Sequence, residues 1–268
     1  MLTRFAPSPT GYLHIGHALA ARRAFDFARE HGGQCLLRIE DIDHTRCKAE
    51  YKGAIFTDLA WLGFHWPKDV RIQSEHKADY DDVIDKLRAR GLIYRCFKSR
   101  AELPKGIYQG PETHLSQNQE ATKIAQNQPF AWRLCMMRAK ESLGAKFHVQ
   151  YQDNGEAVTA DPARHGDIVL ARKDIGTSYH IAAAHDDHIQ GITDVVRGRD
   201  LQGQTDIHVL LQRLMEWESP QYHHHALLLN ERGQKLSKRN QDTTIRSLRD
   251  SGHSADDVFD VARAGVIR

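Results

Sequence analysis

Residues 4–17 read Arg-Phe-Ala-Pro-Ser-Pro-Thr-Gly-Tyr-Leu-His-Ile-Gly-His, a run whose residue types suit phosphate binding. A short apolar opening over residues 2–6, a Pro/Gly turn and a helical pattern from Ile15 predict a strand, a tight loop and a helix N-terminus. Backbone N–H groups and the positive end of the helix dipole converge at such a terminus. His14 and His17 flank Gly16 there. The glycine lets a ligand approach the backbone, and both imidazoles can donate hydrogen bonds to phosphate oxygens. Taken alone, two histidines three residues apart are more often surface or packing residues.

Two other runs could carry chemistry. Lys235-Leu236-Ser237-Lys238-Arg239 follows a strand-like apolar stretch over residues 226–230 and offers either cations for phosphate or a solvated face. Ala183-Ala184-His185-Asp186-Asp187-His188 gathers two acids and two histidines, but its spacing fits no tetrahedral zinc template.

The elements that must position these residues begin as alternating strand and helix. A helix over residues 15–31 is stopped by Gly32-Gly33, a strand over 34–39 ends at Glu40-Asp41, and helical patterns cover 47–62 and 77–91. That order predicts an α/β fold with a doubly wound parallel sheet, whose ligands bind at the carboxyl ends of the strands. The loop at residues 4–8 and Glu40 both lie at such ends. From 94 to 165 the pattern breaks down, with Pro104, Pro111, Pro129 and a Gln/Asn-rich piece at 116–128. This stretch reads as a small α+β subdomain inserted between the halves of the sheet. Strand patterns return at 167–170 and 193–196, followed by an apolar helix at 205–215 and a strand at 226–229. Short helices at 243–251 and 254–263 close the chain. The division expected is a split Rossmann-like domain (1–93 and 166–225), an insertion (94–165), and a lysine-loop region with C-terminal helices (226–268).

With 268 residues, the chain can bury a substantial core in one large or two modest domains. The net charge of +2 neither demands nor excludes a nucleic-acid partner, so any basic patch must be local. No apolar run is long enough to cross a bilayer, and the first residues do not read as a signal peptide. The four cysteines, Cys35, Cys47, Cys96 and Cys135, show no disulfide spacing, and the cytoplasm is the compartment expected.

The run at 4–17 resembles the first signature of class I aminoacyl-tRNA synthetases, in its glutamyl form. The lysine run at 235–239 stands where that family carries its Lys-Met-Ser-Lys-Ser loop, in the right order and more than two hundred residues downstream. The resemblance implies a Rossmann-like catalytic sheet that joins a carboxylate to the α-phosphate of ATP, with Mg2+ arriving on the nucleotide. It implies that His14 and His17 stabilise the moving phosphates, that Lys238 contacts them from a mobile loop with Lys235 in support, and that Gly16 belongs to the ATP site. Leu236 and Arg239 depart from the usual Met and Ser but keep the bulk and the charge. The implied glutamate pocket comprises Arg4, Ala6, Ser8, Glu40, Tyr179 and Arg197. Glu40 would take the α-ammonium and the arginines the two carboxylates, in an order the sequence leaves open. In the alternative, each arginine pairs with a nearby acid such as Asp41 or Asp200. A neutral glutamine side chain would leave one arginine without its anion, which favours glutamate.

Two departures from the family bear on function. Short relatives carry Cys-x-Cys, a Tyr and a third Cys in the insertion; here Cys96 is followed by Lys98, and Tyr108 by Gln109-Gly110-Pro111-Glu112, so no structural zinc and no other metal site is expected. Cys35, Cys47 and Cys135 read instead as small buried hydrophobes. The chain also ends about thirty residues after Arg239, without the helical anticodon-binding region of a full glutamyl enzyme. That resembles a short branch of the family that activates glutamate without tRNA and attaches it to the queuosine base at the wobble position of tRNA(Asp). The expected partners are therefore L-glutamate, ATP and queuosine-containing tRNA(Asp), with no membrane and a monomeric protein. The alternatives are a minimal glutamyl-tRNA synthetase charging the acceptor end, or a catalytically silent module that binds RNA or protein. Arg95, Lys98, Arg100, Lys105 and Arg133 in the insertion could meet an RNA backbone or plain solvent.

Overall fold

The computed structural model describes residues 1–99, 101–110, 114–227 and 243–264. Its first half alternates as the sequence predicts: β1 (Leu2–Phe5), α1 (Ile15–Glu30), β2 (Gln34–Ile39), α2 (Ala49–Trp61), β3 (Arg71–Ile72) and α3 (Lys77–Ala89). Then follow β4 (Ile93–Cys96), α4 (Gln117–Ala125), β5 (Ala131–Leu134), α5 (Met136–Leu143), β6 (Gln150–Asp153), β7 (Glu156–Thr159) and β8 (Val169–Ala171). The last part comprises α6 (Tyr179–Ile189), β9 (Asp194–Gly198), α7 (Gln202–Met215), β10 (Gln221–His225), α8 (Ile245–Asp250) and α9 (Ala255–Ala264). No described helix is long and apolar enough to cross a membrane.

β1, β2 and β3 form one parallel set, and β9, β10 and β6 another, with β7 antiparallel on the outer edge. The two sets meet where Thr193 N–H donates to the Leu2 carbonyl at 2.9 Å and Leu2 N–H to the Thr193 hydroxyl at 2.8 Å. The chain runs outward in opposite senses from β1 and β9. That reversal opens a crevice at their carboxyl ends, where ligands of doubly wound sheets bind.

α1 lies close on this sheet because the face it buries, Ala18, Ala21, Ala24 and Ala28, is all alanine. It ends at a positive-φ Gly32, and Gly33 packs so tightly on the Met1 backbone that a Cβ there would come within 2.4 Å of a carbonyl oxygen. The helix therefore stops where only glycine fits.

Three features differ from the sequence expectation. Among the described residues the last strand of the sheet is Gln221–His225, upstream of the expected strand at 226–229; Ala226 and Leu227 are irregular, and 228 and 229 lie outside the described residues. Its inward side chains, Tyr222 and His224, are buried although three of its five residues are histidines, so its polarity conceals it. The Gln/Asn-rich piece contains α4, capped by Ser116 and Gln119 in a reciprocal box that the Ser-x-x-Gln spacing already contains. In and around the stretch expected as an insertion, β4 pairs with β5 and β5 with β8 in a separate antiparallel sheet. The β6–β7 hairpin joins the main sheet instead, through Asp153 beside Tyr222. Its turn, Asn154-Gly155 with both φ positive, is the residue pair such tight hairpins require.

Polar residues clamp the layers. The buried Asp187 of α6 accepts from Arg4 Nε of β1 at 2.9 Å and from Arg38 Nη2 of β2 at 2.6 Å. Its neighbour Asp186 accepts from Arg71 of β3, Gln73 and Tyr80 of α3. Burial alone would raise both carboxyl pKa values, yet both stay below the ordinary range: Arg4 and Arg38 hold Asp187 down, and the His185 hydrogen bond, with Arg38 and Arg71, holds Asp186 down. Removing one partner of such a buried pair leaves an uncompensated charge. Asp187→Ala should therefore lose about 3–5 kcal/mol of stability in urea unfolding at neutral pH, and a loss under about 1 kcal/mol would contradict this role.

Candidate active site

A cavity of about 550 Å³ opens at the carboxyl ends of β1, β2, β9 and β10. Arg4, Ala6, Ser8, His14, Gly16, His17, Glu40, Tyr179 and Arg197 all line it. Nine positions drawn from four separate sequence segments thus share one wall. Lys235 and Lys238 lie outside the described residues. The chain returns from that stretch at Thr244, which forms an antiparallel bridge with His14, while Ile245 N–H donates to the Leu13 carbonyl at 2.8 Å.

At the mouth of α1 the two histidines cap the helix and each other. His14 Nδ1 accepts from the Gly16 N–H at 3.1 Å, and His17 Nδ1 accepts from the His14 N–H at 3.2 Å. The rings lie 3.9 Å apart, centroid to centroid. With both Nδ1 lone pairs accepting, the proton of each neutral imidazole sits on Nε2, the donor form suited to a phosphate oxygen. Gly16 has a second reason to be glycine besides ligand approach: a Cβ there would meet His14 Cε1 at 2.9 Å and push the ring off its cap. The loop is fixed from behind as Glu40 N–H donates to the Pro7 carbonyl and Lys48 N–H to that of Pro9, each at 3.1 Å.

The charged wall is asymmetric. Arg4 Nε is engaged by Asp187, not by Asp41, whose carboxylate instead accepts from Ser74. Arg197 is also buried, but it is held by neutral acceptors: His224 Nε2 at 3.3 Å, Tyr179 Oη at 3.3 Å, His208 Nδ1 at 3.3 Å and Thr205 Oγ1 at 2.7 Å. Among the described residues no carboxylate stands within ion-pair distance of it. Burial raises the Tyr179 pKa, so this residue stays a neutral phenol; since its oxygen accepts from Arg197, its own proton can be donated elsewhere. Burial likewise pushes the Glu40 carboxyl up to about 7, against the pull of Arg38 and Arg4. The cavity therefore offers an uncompensated cation at one place and a carboxylate seeking a cation at another.

Sequence reasoning missed Asp153, Thr205, His208 and His224, which shape the site through Arg197. Only the strand period that buries His224 and the Asp-Asn-Gly turn after Asp153 point to them in the sequence. Elsewhere, Asp186 and Asp187 serve arginines, and no group of three His, Cys, Asp or Glu among the described residues is placed to hold a metal ion. Cys35, Cys96 and Cys135 are buried, while Cys47 is half-buried, not the core residue expected. Of the basic residues in the insertion, Arg95 pairs with Glu120 and covers Trp132, whereas Lys98 and Arg133 both lie over the Tyr108 ring. Arg100 lies outside the described residues.

Glu40 yields a direct test. Its carboxyl titrates at about 7 in the folded protein and near 4.5 when exposed, so protonation favours the fold below 4.5 and that contribution is lost as the pH rises through 7. Glu40→Gln should be more stable than the parent above pH 7, by about 1–3 kcal/mol, and equal to it below about pH 4. Equal unfolding free energies at about pH 8 would contradict the strained carboxylate.

Comparison with known proteins gives the site its context. Residues 1–265 match the family described as tRNA synthetases class I (E and Q), catalytic domain. A Glutamyl-Q tRNA(Asp) synthetase of Rhodobacter capsulatus is 38% identical, over 96% of this chain and 98% of that one. The Glutamate--tRNA ligase of Aquifex aeolicus is 35% identical over 96% of this chain, which spans 55% of the ligase. A crystal structure of a glutamate tRNA ligase from Elizabethkingia meningosepticum in complex with its amino acid superposes with a TM-score of 0.75 at 27% identity, covering 89% of this chain and 52% of that one. The cavity and these likenesses agree, and the chain belongs to the class I tRNA synthetases of the glutamate and glutamine family, a family of ATP-dependent ligases.

Proposed function

We propose that the protein activates L-glutamate with ATP in the absence of tRNA and then transfers the glutamyl group to the queuosine base at the wobble position of tRNA(Asp). The observation that carries the glutamate half is the buried Arg197 guanidinium, uncompensated by any described carboxylate and facing the same cavity as the Glu40 carboxylate. Glutamate brings the complementary charges. Its side-chain carboxylate pairs with Arg197 and accepts from the Tyr179 hydroxyl, and its ammonium pairs with Glu40. Arg4, whose charge is shared with Asp187, supplies the second, weaker cation of the pocket. Ala6 and Ser8 complete the wall beside it.

The α-carboxylate then attacks the α-phosphorus of ATP. A carboxylate oxygen forms the new P–O bond, the bond to the bridging oxygen breaks, and pyrophosphate leaves. The Nε2–H groups of His14 and His17 donate to phosphate oxygens as their charge changes, while Gly16 admits the nucleotide to the helix end. Lys238, with Lys235, adds cations to the departing phosphates, and Mg2+ enters as part of the nucleotide substrate. Loss of one such preplaced donor costs on the order of a hundredfold to a thousandfold in rate.

Support for the acceptor comes from the Rhodobacter capsulatus relative, which matches this chain over nearly the full length of both. The Glutamate--tRNA ligases support a second reading, charging of a tRNA acceptor end, because the same adenylate site serves either transfer. The favoured reading assigns residues 1–93 and 166–225 to the catalytic domain, 94–165 to an insertion whose β6–β7 hairpin adds to the catalytic sheet, and 226–268 to the lysine-loop region. It also has the protein act as a cytoplasmic monomer.

Labelled glutamate and ATP, offered with queuosine-containing tRNA(Asp), the same RNA lacking queuosine, and tRNA(Glu), decide between the readings. Label on the first alone is the result expected. Label on tRNA(Glu) would replace the proposal with the second reading, and absence of glutamate-dependent pyrophosphate exchange would overturn both.

A further inference from the structure

Arg197 poses a physical problem that the rest of the site does not explain. A guanidinium in a dry interior is costly without an anion, and the other buried arginines around it have one. Arg4 and Arg38 share Asp187, and even the half-buried Arg71 has Asp186 and Asp79. Arg197, although buried, instead points its N–H groups at a hydroxyl, a phenol and two imidazoles.

A carboxylate does stand behind this cradle, one imidazole away. Asp153, buried at the end of β6, accepts from His224 Nδ1 at 2.9 Å and from the His224 backbone N–H at 3.1 Å. Its oxygens also accept from Gln202 Nε2 and Asn154 Nδ2, each at 3.0 Å. The imidazole proton of His224 therefore sits on Nδ1, and the Nε2 lone pair accepts from Arg197 Nε. His208 is the mirror case. Its Nδ1 accepts from Arg197, so its proton sits on Nε2, an atom buried with no described partner. Burial and the Arg197 charge both lower the pKa of each of these histidines and keep them neutral.

We infer that His208 and the Asp153–His224 pair are positioning residues that hold Arg197 through neutral acceptors and so reserve its charge for the substrate carboxylate, setting the preference for glutamate over glutamine. The inference rests on the glutamate reading of the site. A carboxylate in direct contact would fix the guanidinium equally well, but it would compete with the substrate for the same N–H groups. An imidazole between anion and cation satisfies geometry and leaves the cation unmatched. The discrimination then follows from the penalty on a neutral amide, which leaves a buried charge without its partner.

The isosteric pair His208→Asn and His208→Asp separates packing from charge, because the two introduced side chains differ in little else. Pyrophosphate exchange, measured against glutamate and glutamine with the full-length protein, reads the effect. His208→Asp should raise the glutamate KM at least about tenfold with kcat within about threefold, and narrow the glutamate-to-glutamine preference by about tenfold or more. His208→Asn, which keeps a neutral acceptor, should retain the glutamate preference and raise KM at least about threefold less than His208→Asp does. Equal effects of the two substitutions, or an unchanged preference in His208→Asp, would overturn the inference while leaving glutamate activation intact. If the parent protein shows no exchange with glutamate, the glutamate reading fails and this inference fails with it. Should the His208→Asp variant not unfold cooperatively, Thr205→Asp places a carboxylate against Arg197 Nη2 and carries the same expectation, with Thr205→Asn as its control.

Discussion

The carboxylate of Asp187, sealed between Arg4 and Arg38, is the contact on which the site depends. It joins α6 to β1 and β2 and so fixes the depth at which the crevice opens. It also sets the charge of the pocket. By sharing one anion between two arginines, it leaves Arg4 partly compensated and the neighbouring wall positive. At Glu40, at the end of β2 beside these groups, burial outweighs the pull of Arg38 and Arg4 and pushes the carboxyl up to about 7, so its ionised form is strained at neutral pH. A cationic ligand group relieves that strain, and this is how fold stability and ligand affinity become opposed demands on one residue.

Histidine performs a second kind of work throughout the site. At α1, His14 and His17 accept from backbone N–H groups through Nδ1 and thereby fix their protons on Nε2. Around Arg197, His208 and His224 accept from the guanidinium without cancelling its charge. In both places the neutral ring acts as an orienting spacer. Its value lies in having one donor and one acceptor on fixed vectors, which neither a carboxylate nor a hydroxyl provides.

Much of this was legible in the sequence. The strand–loop–helix at residues 2–30 and the strand at 34–39 could be read from local turn and cap signals, whereas the nine described pocket residues could be named because the runs that hold them resemble the family's motifs. What escaped was non-local or disguised. The strand at Gln221–His225 looks like a polar loop, because its buried His224 is satisfied by Asp153 and Arg197 from other strands. The β6–β7 hairpin, with its Asn154-Gly155 turn, gives no sign in sequence that its partner lies some seventy residues downstream. Nor does the sequence distinguish the two pocket arginines. Only packing shows that Arg4 meets Asp187 whereas Arg197 meets neutral groups.

A buried, uncompensated Arg197 and the strained Glu40 carboxylate together form the proposed recognition element for glutamate. The most direct test is a crystal structure of the protein with a non-hydrolysable glutamyl-adenylate analogue. The side-chain carboxylate should then lie on Arg197 and Tyr179, the ammonium on Glu40, and the phosphate within hydrogen-bond reach of the Nε2 atoms of His14 and His17. A side-chain carboxylate bound away from Arg197, or an ammonium that does not meet Glu40, would contradict this recognition.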